Sequence, residues 1–157
     1  MSAVVQDRKP GIRPMQPADL DAVMAIEKRA YHFPWTRGIF QDCLRVGYSC
    51  WIYAQEEQVL GYAVMSMAVG EGHILNLCIA PDYQGRGHGR RLLRALLAQA
   101  DAHGVGEIYL EARPSNISAL RLYLSEGFNE IGSRRDYYPA LTGREDAVVL
   151  ARTMASD

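Results

Sequence analysis

The stretch Leu75-Asn76-Leu77-Cys78-Ile79-Ala80-Pro81-Asp82-Tyr83-Gln84-Gly85-Arg86-Gly87-His88-Gly89-Arg90 decides the fold. Its first part belongs to a nearly continuous apolar run, His73–Ala80, as a strand buried on both faces requires. Pro81-Asp82-Tyr83 ends that strand. Three alternating glycines follow, and then Arg90–Ala102 sets Leu92, Leu93, Leu96, Leu97 and Ala100 on one helical face, with Gly104 as its stop. A glycine-rich turn from buried strand to helix is an anion site. Missing side chains let backbone N–H groups approach a ligand, and the helix N-terminus adds its positive end. Arg86, Arg90 and Arg91 add full charges there.

Working outward, the periodicity alternates between helix and strand. Residues 1–10 read as a flexible leader, and residues 11–154 as one domain. Ile12-Arg13 is a short strand that Pro14 is expected to stop. From Pro17 a helix carries Leu20, Val23 and Ile26–Glu27 on its inner face, with Asp19 and Asp21 near its N-terminal end. His32-Phe33-Pro34-Trp35 breaks it, and Thr36 caps a second helix bearing Ile39, Phe40, Cys43 and Leu44. Tyr48–Ala54 and Val59–Val69 are strands, with a bend or bulge at Gly61. Beyond the Leu-rich helix come a strand at Glu107–Ala112 and a helix starting at Pro114-Ser115-Asn116 and ended by Gly127. Strands at Phe128–Tyr138 and Ala147–Thr153 finish the chain. The order is βααβββαβαββ, a single mixed-sheet α/β domain.

Composition narrows the function. The chain has 157 residues, a length suited to one domain. It is 48% hydrophobic and 22% charged, which argues against disorder. Seventeen basic residues against 18 acidic give a net charge of −1, so no general nucleic-acid binding is expected. Cys43, Cys50 and Cys78 form no CxxC pair, and His32, His73, His88 and His103 show no ligand spacing, so no metal is expected. The longest uncharged stretch, Gln58–Gly70, is too short for a membrane helix. Basic residues follow the short apolar patch at the N-terminus, the reverse of a signal peptide, and a reduced cytoplasmic protein is the expectation.

Three phosphate-binding patterns compete for the glycine loop. Walker A is excluded because no Lys-Ser/Thr follows the glycines. For GxGxxG, Gly85 and Gly87 match, but the third position falls on Arg90. Glu107 sits where a ribose-binding acid is expected, yet the loop follows the fourth strand of a meander rather than the first strand of a βαβ unit. The pattern that fits is Gln/Arg-x-x-Gly-x-Gly/Ala, met by Gln84, Gly87 and Gly89. With its flanking strand and helix, this loop resembles the acetyl-CoA pyrophosphate loop of the GCN5-related N-acetyltransferases (GNAT). The resemblance implies backbone contacts from Leu77, Cys78 and Ile79 to the acetyl and pantetheine end. It assigns the pyrophosphate to Gln84, Gly85, Arg86, Gly87, His88, Gly89 and Arg90.

Two downstream segments agree. Ala119-Leu120-Arg121-Leu122-Tyr123-Leu124-Ser125-Glu126-Gly127-Phe128 resembles the family's A-x-x-L-Y-x-x-x-G-F, with a one-residue shift in how its apolar positions are filled. Tyr123 is either a core aromatic with a polar tip or the acid that protonates a departing thiolate; a phenol of unperturbed pKa ~10 can do so when held near sulfur. The resemblance implies the second. Glu111 ends its strand on one face with Tyr109 and Arg113. It is either an ion-pair partner or the general base, direct or through water, that takes the proton of an incoming amine. Asn116 caps a helix and, by the resemblance, contacts the cofactor as well.

Phe33-Pro34-Trp35, Leu110-Glu111-Ala112-Arg113, Arg134-Arg135-Asp136-Tyr137-Tyr138-Pro139 and Gly143-Arg144-Glu145-Asp146-Ala147 together look like the ribosomal-protein-alanine N-acetyltransferase (RimI) type within that family, over about residues 11–151. Cys78 stands where Ala is common, and Asp136 where Asn is common. This resemblance implies acetyl-CoA as cosubstrate, no metal, and a small-subunit ribosomal protein's N-terminal alanine as acceptor. Phe33, Trp35, Tyr137 and Tyr138 would line the peptide groove, with no direct nucleic-acid or membrane contact. Another protein N-terminus, a lysine, a polyamine or a small-molecule amine would use the same chemistry. Two non-enzymatic readings are a degenerate acyl-CoA-binding module and a nucleotide-binding protein; intact Gln84, Gly87, Gly89, Glu111 and Tyr123 oppose the first. Acetyl-CoA at 100-fold its Kd is expected to raise the melting temperature by roughly 5–10 °C. Stabilisation by ATP or NAD alone, in parallel thermal-shift scans, would overturn the cofactor assignment.

Overall fold

Alternating apolar residues draw seven strands into one sheet, and the computed structural model describes residues 8–154 of the chain. The elements are β1 (Gly11–Pro14), α1 (Leu20–Ala30), α2 (Arg37–Arg45), β2 (Ser49–Gln55), β3 (Gln58–Ala68), β4 (Glu71–Ile79), α3 (His88–Ala102), β5 (Glu107–Ala112), α4 (Ile117–Ser125), β6 (Asn129–Pro139) and β7 (Arg144–Thr153). This is the expected order. Across the sheet the strands run β1-β2-β3-β4-β5-β7-β6. All neighbours are antiparallel except β4 and β5. A parallel pair needs a crossover, and α3 supplies it.

Two apolar clusters lie on the two faces. One packs α3, through Leu92, Leu93 and Leu96, and Tyr123 of α4 against Tyr53, Ile108 and Leu110. The other packs α1 and α2, through Leu20, Val23 and Phe40, against Ile52, Tyr62 and Val64. Each fully buried Leu contributes about 1.5–3 kcal/mol of transfer free energy. α3 stops where Gly104 turns left-handed at φ 74°, while Val105 N–H closes back on the Ala100 carbonyl at 3.0 Å.

β1 ends at Pro14, as expected, with Pro14 itself paired to Trp51; β1 is an edge strand, where a missing N–H costs no ladder bond. Two local expectations shift. The first helix opens with a 3₁₀ turn at Pro17–Asp19 before α1. α3 begins two residues early, at His88, so Gly89 lies inside the helix rather than before it. Most of the expected leader, residues 1–7, lies outside the described residues. Among those described, no helix is long and apolar enough to cross a membrane.

Gly61 has a steric reason. The register slips between Tyr53 and Ala54 opposite it, as the expected bulge requires, and a Cβ on Gly61 would sit 2.3 Å from the Cys78 carbonyl oxygen. Gly61→Ala is therefore expected to cost about 1–3 kcal/mol in urea denaturation. Gly132→Ala, where a Cβ meets nothing within 4 Å, should be neutral within about 0.5 kcal/mol.

Candidate active site

The parallel ladder between β4 and β5 ends at Ile74–Leu110, so Leu75–Ile79 have no β5 partner. Ala80 N–H bonds the Leu60 carbonyl at 2.8 Å, and by alternation Cys78 opposite Tyr62 also bonds to β3. The backbone of Leu77 and Ile79 therefore faces the gap. Their carbonyls show it: Leu77 accepts from the Tyr31 hydroxyl at 3.4 Å, and Ile79 accepts from Gln84 Nε2 at 2.9 Å. The Cys78 side chain is buried, and that burial pushes its thiol pKa up, away from the nucleophilic thiolate.

At the outer end of the gap lies the glycine loop. Gly85 and Gly87 are left-handed, at φ 77° and 84°, and a Cβ on either would meet nothing within 4 Å. The backbone N–H groups of residues 85–90 have no acceptor among the described residues. The loop therefore presents a row of free donors on an open surface, the donor set a pyrophosphate requires. Not every side chain of the motif is free. Gln84 is bound to the strand end, and Arg90 is bound to Ser125 Oγ at 2.9 Å and Glu126 at 3.1 Å, tying α3 to α4. Arg86 lies over the Tyr83 ring at 5.7 Å. His88 Nδ1 meets the buried Tyr53 hydroxyl at 2.8 Å, and burial and nearby Arg91 lower its pKa.

Beside the gap is a cleft of ≈ 870 Å³. Leu77, Glu111, Asn116 and Tyr123 line it, with Phe33 and Trp35 on one side and Tyr137 and Tyr138 on the other. The glycine loop lies outside this lining. Asn116 caps α4, its Oδ1 accepting from Ala119 N–H at 3.3 Å. The Tyr123 ring packs edge-on against Phe128, and its hydroxyl has no hydrogen-bond partner among the described residues. Burial raises its pKa to about 12. Glu111, with a side chain only 8% exposed, meets His73 Nε2 at 2.5 Å and Arg134 Nε at 3.4 Å.

The walls are held by polar contacts. The Arg113 guanidinium lies 4.4 Å from the Tyr138 ring and 5.9 Å from Phe33, so one cation bridges both sides. Glu145 accepts from Arg113, Ser115 N–H and Ser115 Oγ, and the Ser115 bonds hold its pKa below the usual carboxylate range. Between Arg134 and Tyr138 the β6 register slips, and Asp136 turns left-handed at φ 51°, a conformation that Asp and Asn reach most readily among non-glycine residues. That kink turns the paired Tyr137 and Tyr138 toward the cleft, their ring centroids 4.8 Å apart.

Four residues here escape the sequence reading: Tyr31, His73, Asn76 and the true task of Glu27. Glu27 is 1% exposed. It accepts from the Tyr62 hydroxyl at 2.6 Å, Asn76 Nδ2 at 3.1 Å and Trp35 N–H at 2.9 Å. Its signal was visible, since a carboxylate falls on the apolar face of α1. The others need the register of β4 against α1 and β5, which no local pattern reveals.

This architecture, a split parallel pair with a donor-lined loop at its end, defines an acyl-transfer fold. The model of the acetyltransferase (GNAT) family matches residues 20–128, and the chain belongs to that family. It is 38% identical over 140 residues to the [ribosomal protein bS18]-alanine N-acetyltransferase of Escherichia coli K12, covering 89% of this chain and 95% of that one. The crystal structure of the Escherichia coli ribosomal-protein-S18-alanine N-acetyltransferase superposes with a TM-score of 0.87 at 36% identity, covering 95% and 97% of the two chains. A spermidine N-acetyltransferase chimera from Vibrio cholerae shares the fold alone, with a TM-score of 0.82 at 18% identity over 93% and 96% of the chains.

Removing the Glu27 carboxylate strands two buried donors, on Tyr62 and Asn76, and the half-buried Trp35 N–H. Glu27→Ala is expected to lower stability by roughly 3 kcal/mol, measured by urea denaturation. A loss under about 0.5 kcal/mol would show that water replaces those bonds.

Proposed function

We propose that the chain is an acetyl-CoA-dependent N-α-acetyltransferase acting on the N-terminal alanine of a small-subunit ribosomal protein. One observation carries the chemistry: an unbonded Tyr123 hydroxyl and the Glu111 carboxylate line the same cleft, beside the backbone groups of Leu77 that the sheet leaves unpaired. The acceptor rests on the relatives that carry that activity in their names.

Acetyl-CoA supplies the acetyl group as a thioester. The amides of Gly85–Arg90 hold its pyrophosphate, with Arg86 as the nearby cation and Gln84 and Arg90 bracing the loop from behind. Asn116 contacts the cofactor from the cap of α4. Leu77 and Ile79 offer backbone donors to the acetyl and pantetheine end, polarising the carbonyl. Cys78 between them keeps the floor tight with a small, protonated side chain. Phe33 and Trp35 on one side, and Tyr137 and Tyr138 on the other, enclose the peptide end. Glu111 takes the proton of the α-ammonium, whose pKa of ~7.7–8.0 makes it a far easier proton than that of lysine at ~10.4. Tyr123 donates to the departing thiolate. The burial that raises its pKa also disfavours a thiolate released beside it, so donor and acceptor stay matched.

Tyr123→Phe and Glu111→Gln are each expected to lower kcat about 10²-fold while acetyl-CoA affinity holds. With a pKa of about 12, Tyr123 stays protonated across pH 7–10, so kcat should show no alkaline loss from this group in that window; a fall there that Tyr123→Phe abolishes would overturn the raised pKa, whereas a parent-like kcat in Tyr123→Phe would refute the acid role. Three peptides decide the acceptor: one beginning Ala-Arg, the same peptide blocked at its N-terminus, and one offering only lysine amines. Thiol release is expected with the first alone. Release that persists with the blocked peptide would sink the N-terminal reading.

A further inference from the structure

His73 has no task in this mechanism, yet it stands against the proposed base. Its Nε2 lies 2.5 Å from Glu111 Oε2. The contact follows from the register: His73 pairs with Tyr109, and Glu111 lies two residues further along the same face of β5. Both residues line the large cleft, and both also line a second cavity of ≈ 250 Å³, walled further by Ser66, Glu71, Tyr109 and Arg134. The two differ in exposure. The His73 side chain is 37% exposed and that of Glu111 only 8%. A proton on Glu111 therefore has little direct access to water, while one on His73 has it. The other partner of Glu111, Arg134 at 3.4 Å, is a permanent cation and cannot accept a proton.

We propose that His73 is a positioning and relay residue that carries the proton taken up by Glu111 out to solvent through the smaller cavity. The proposal rests on Glu111 being the base. As the ammonium N–H bond breaks, an O–H bond forms on the Glu111 carboxylate. That O–H then donates to unprotonated Nε2 of His73, which regenerates the carboxylate and leaves an imidazolium. The imidazolium gives up its Nδ1 proton to water or a buffer base in the cavity, and exchange with solvent resets the tautomer. One proton moves and no electrons are transferred. Imidazole is the ordinary side-chain shuttle for such a step near neutral pH. The titratable and charged groups that share the cavity with the ring are Glu71 from β4 itself, Tyr109 and Glu111 from β5, and Arg134 from β6.

The test uses the full chain with acetyl-CoA and the Ala-Arg peptide. His73→Ala and His73→Gln are both expected to lower kcat about tenfold or more, with KM for acetyl-CoA unchanged. Glutamine can still hydrogen-bond Glu111 but cannot carry a proton through, so a parent-like kcat in His73→Gln overturns the relay. Added imidazole is expected to restore His73→Ala, with an efficiency that rises with pH as the free base accumulates. Failure of imidazole to raise that rate also overturns it. Glu111→Gln separates the two readings: if it retains the parent rate, the base assignment falls, whereas a slow Glu111→Gln beside fast His73 variants sinks the relay alone.

Discussion

The rest of the site depends on one broken ladder. β4 and β5 pair in parallel only as far as Ile74 and Leu110, and beyond that point each strand goes its own way. A buried peptide group without a partner costs free energy, so a sheet does not open in mid-strand without support. Here support comes from both sides. Against β3 the register slips where Val64 and Met65 face Asn76 and Ile74, which makes Leu75 an extra residue on β4 at the place where that strand leaves β5, and an inserted residue bends a strand. On β5 the chain turns after Ala112 into the Asn116-capped α4, which pins the strand's far end away. The opened carbonyls are then taken by Tyr31 and Gln84, side chains that an incoming group can rearrange more cheaply than a ladder.

That opening also explains the arrangement around it. Leu77 and Ile79 face the gap while Cys78 is committed to β3, so backbone donors recur every second residue and the side chain between them packs inward. α3 begins where the strand ends, and its first-turn amides have no partner within the helix. A ligand with an anionic middle and an extended apolar arm suits this geometry. The three glycines serve different needs. Gly85 and Gly87 turn left-handed, whereas Gly89 sits in the helix beside Leu122, at 3.5 Å for an added Cβ.

Legibility tracks locality. The glycine loop, the Leu stripe of α3, the Thr36 and Asn116 caps and the strand alternation are short-range patterns, and the element order follows from them. That Glu111 lies near a strand end and Tyr123 on a helix face follows as well, whereas their meeting at one cleft is expected only from the family resemblance. What the chain does not display is register. His73 meets Glu111 only because β4 and β5 pair in parallel at Ile74–Leu110, and Arg113 reaches Phe33 and Tyr138 only once three separate segments converge. Arg90 belongs to the pyrophosphate loop by the resemblance, and only the fold shows that its guanidinium is held by Ser125 and Glu126 at the end of α4.

Two of the three carboxylates that line the cleft, Glu27 and Glu111, show why position along the sequence is a poor guide to role. Glu27 and Glu111 both line the cavity and both are largely buried. Glu27 is saturated. Its oxygens accept from a tyrosine, an asparagine and a backbone N–H, none of which can pass a proton onward at neutral pH. Protonating it would forfeit part of the network that fastens α1 and the Trp35 loop to β3 and β4. It is suited to holding that wall in place. Glu111 has instead one fixed cation and one titratable imidazole as partners, and the imidazole reaches a second opening. A base that must cycle needs a partner able to take its proton and release it. Of the two acids only Glu111 has one, and this asymmetry, more than proximity to the cleft, is what supports proposing the chemistry on β5 and the scaffolding on α1.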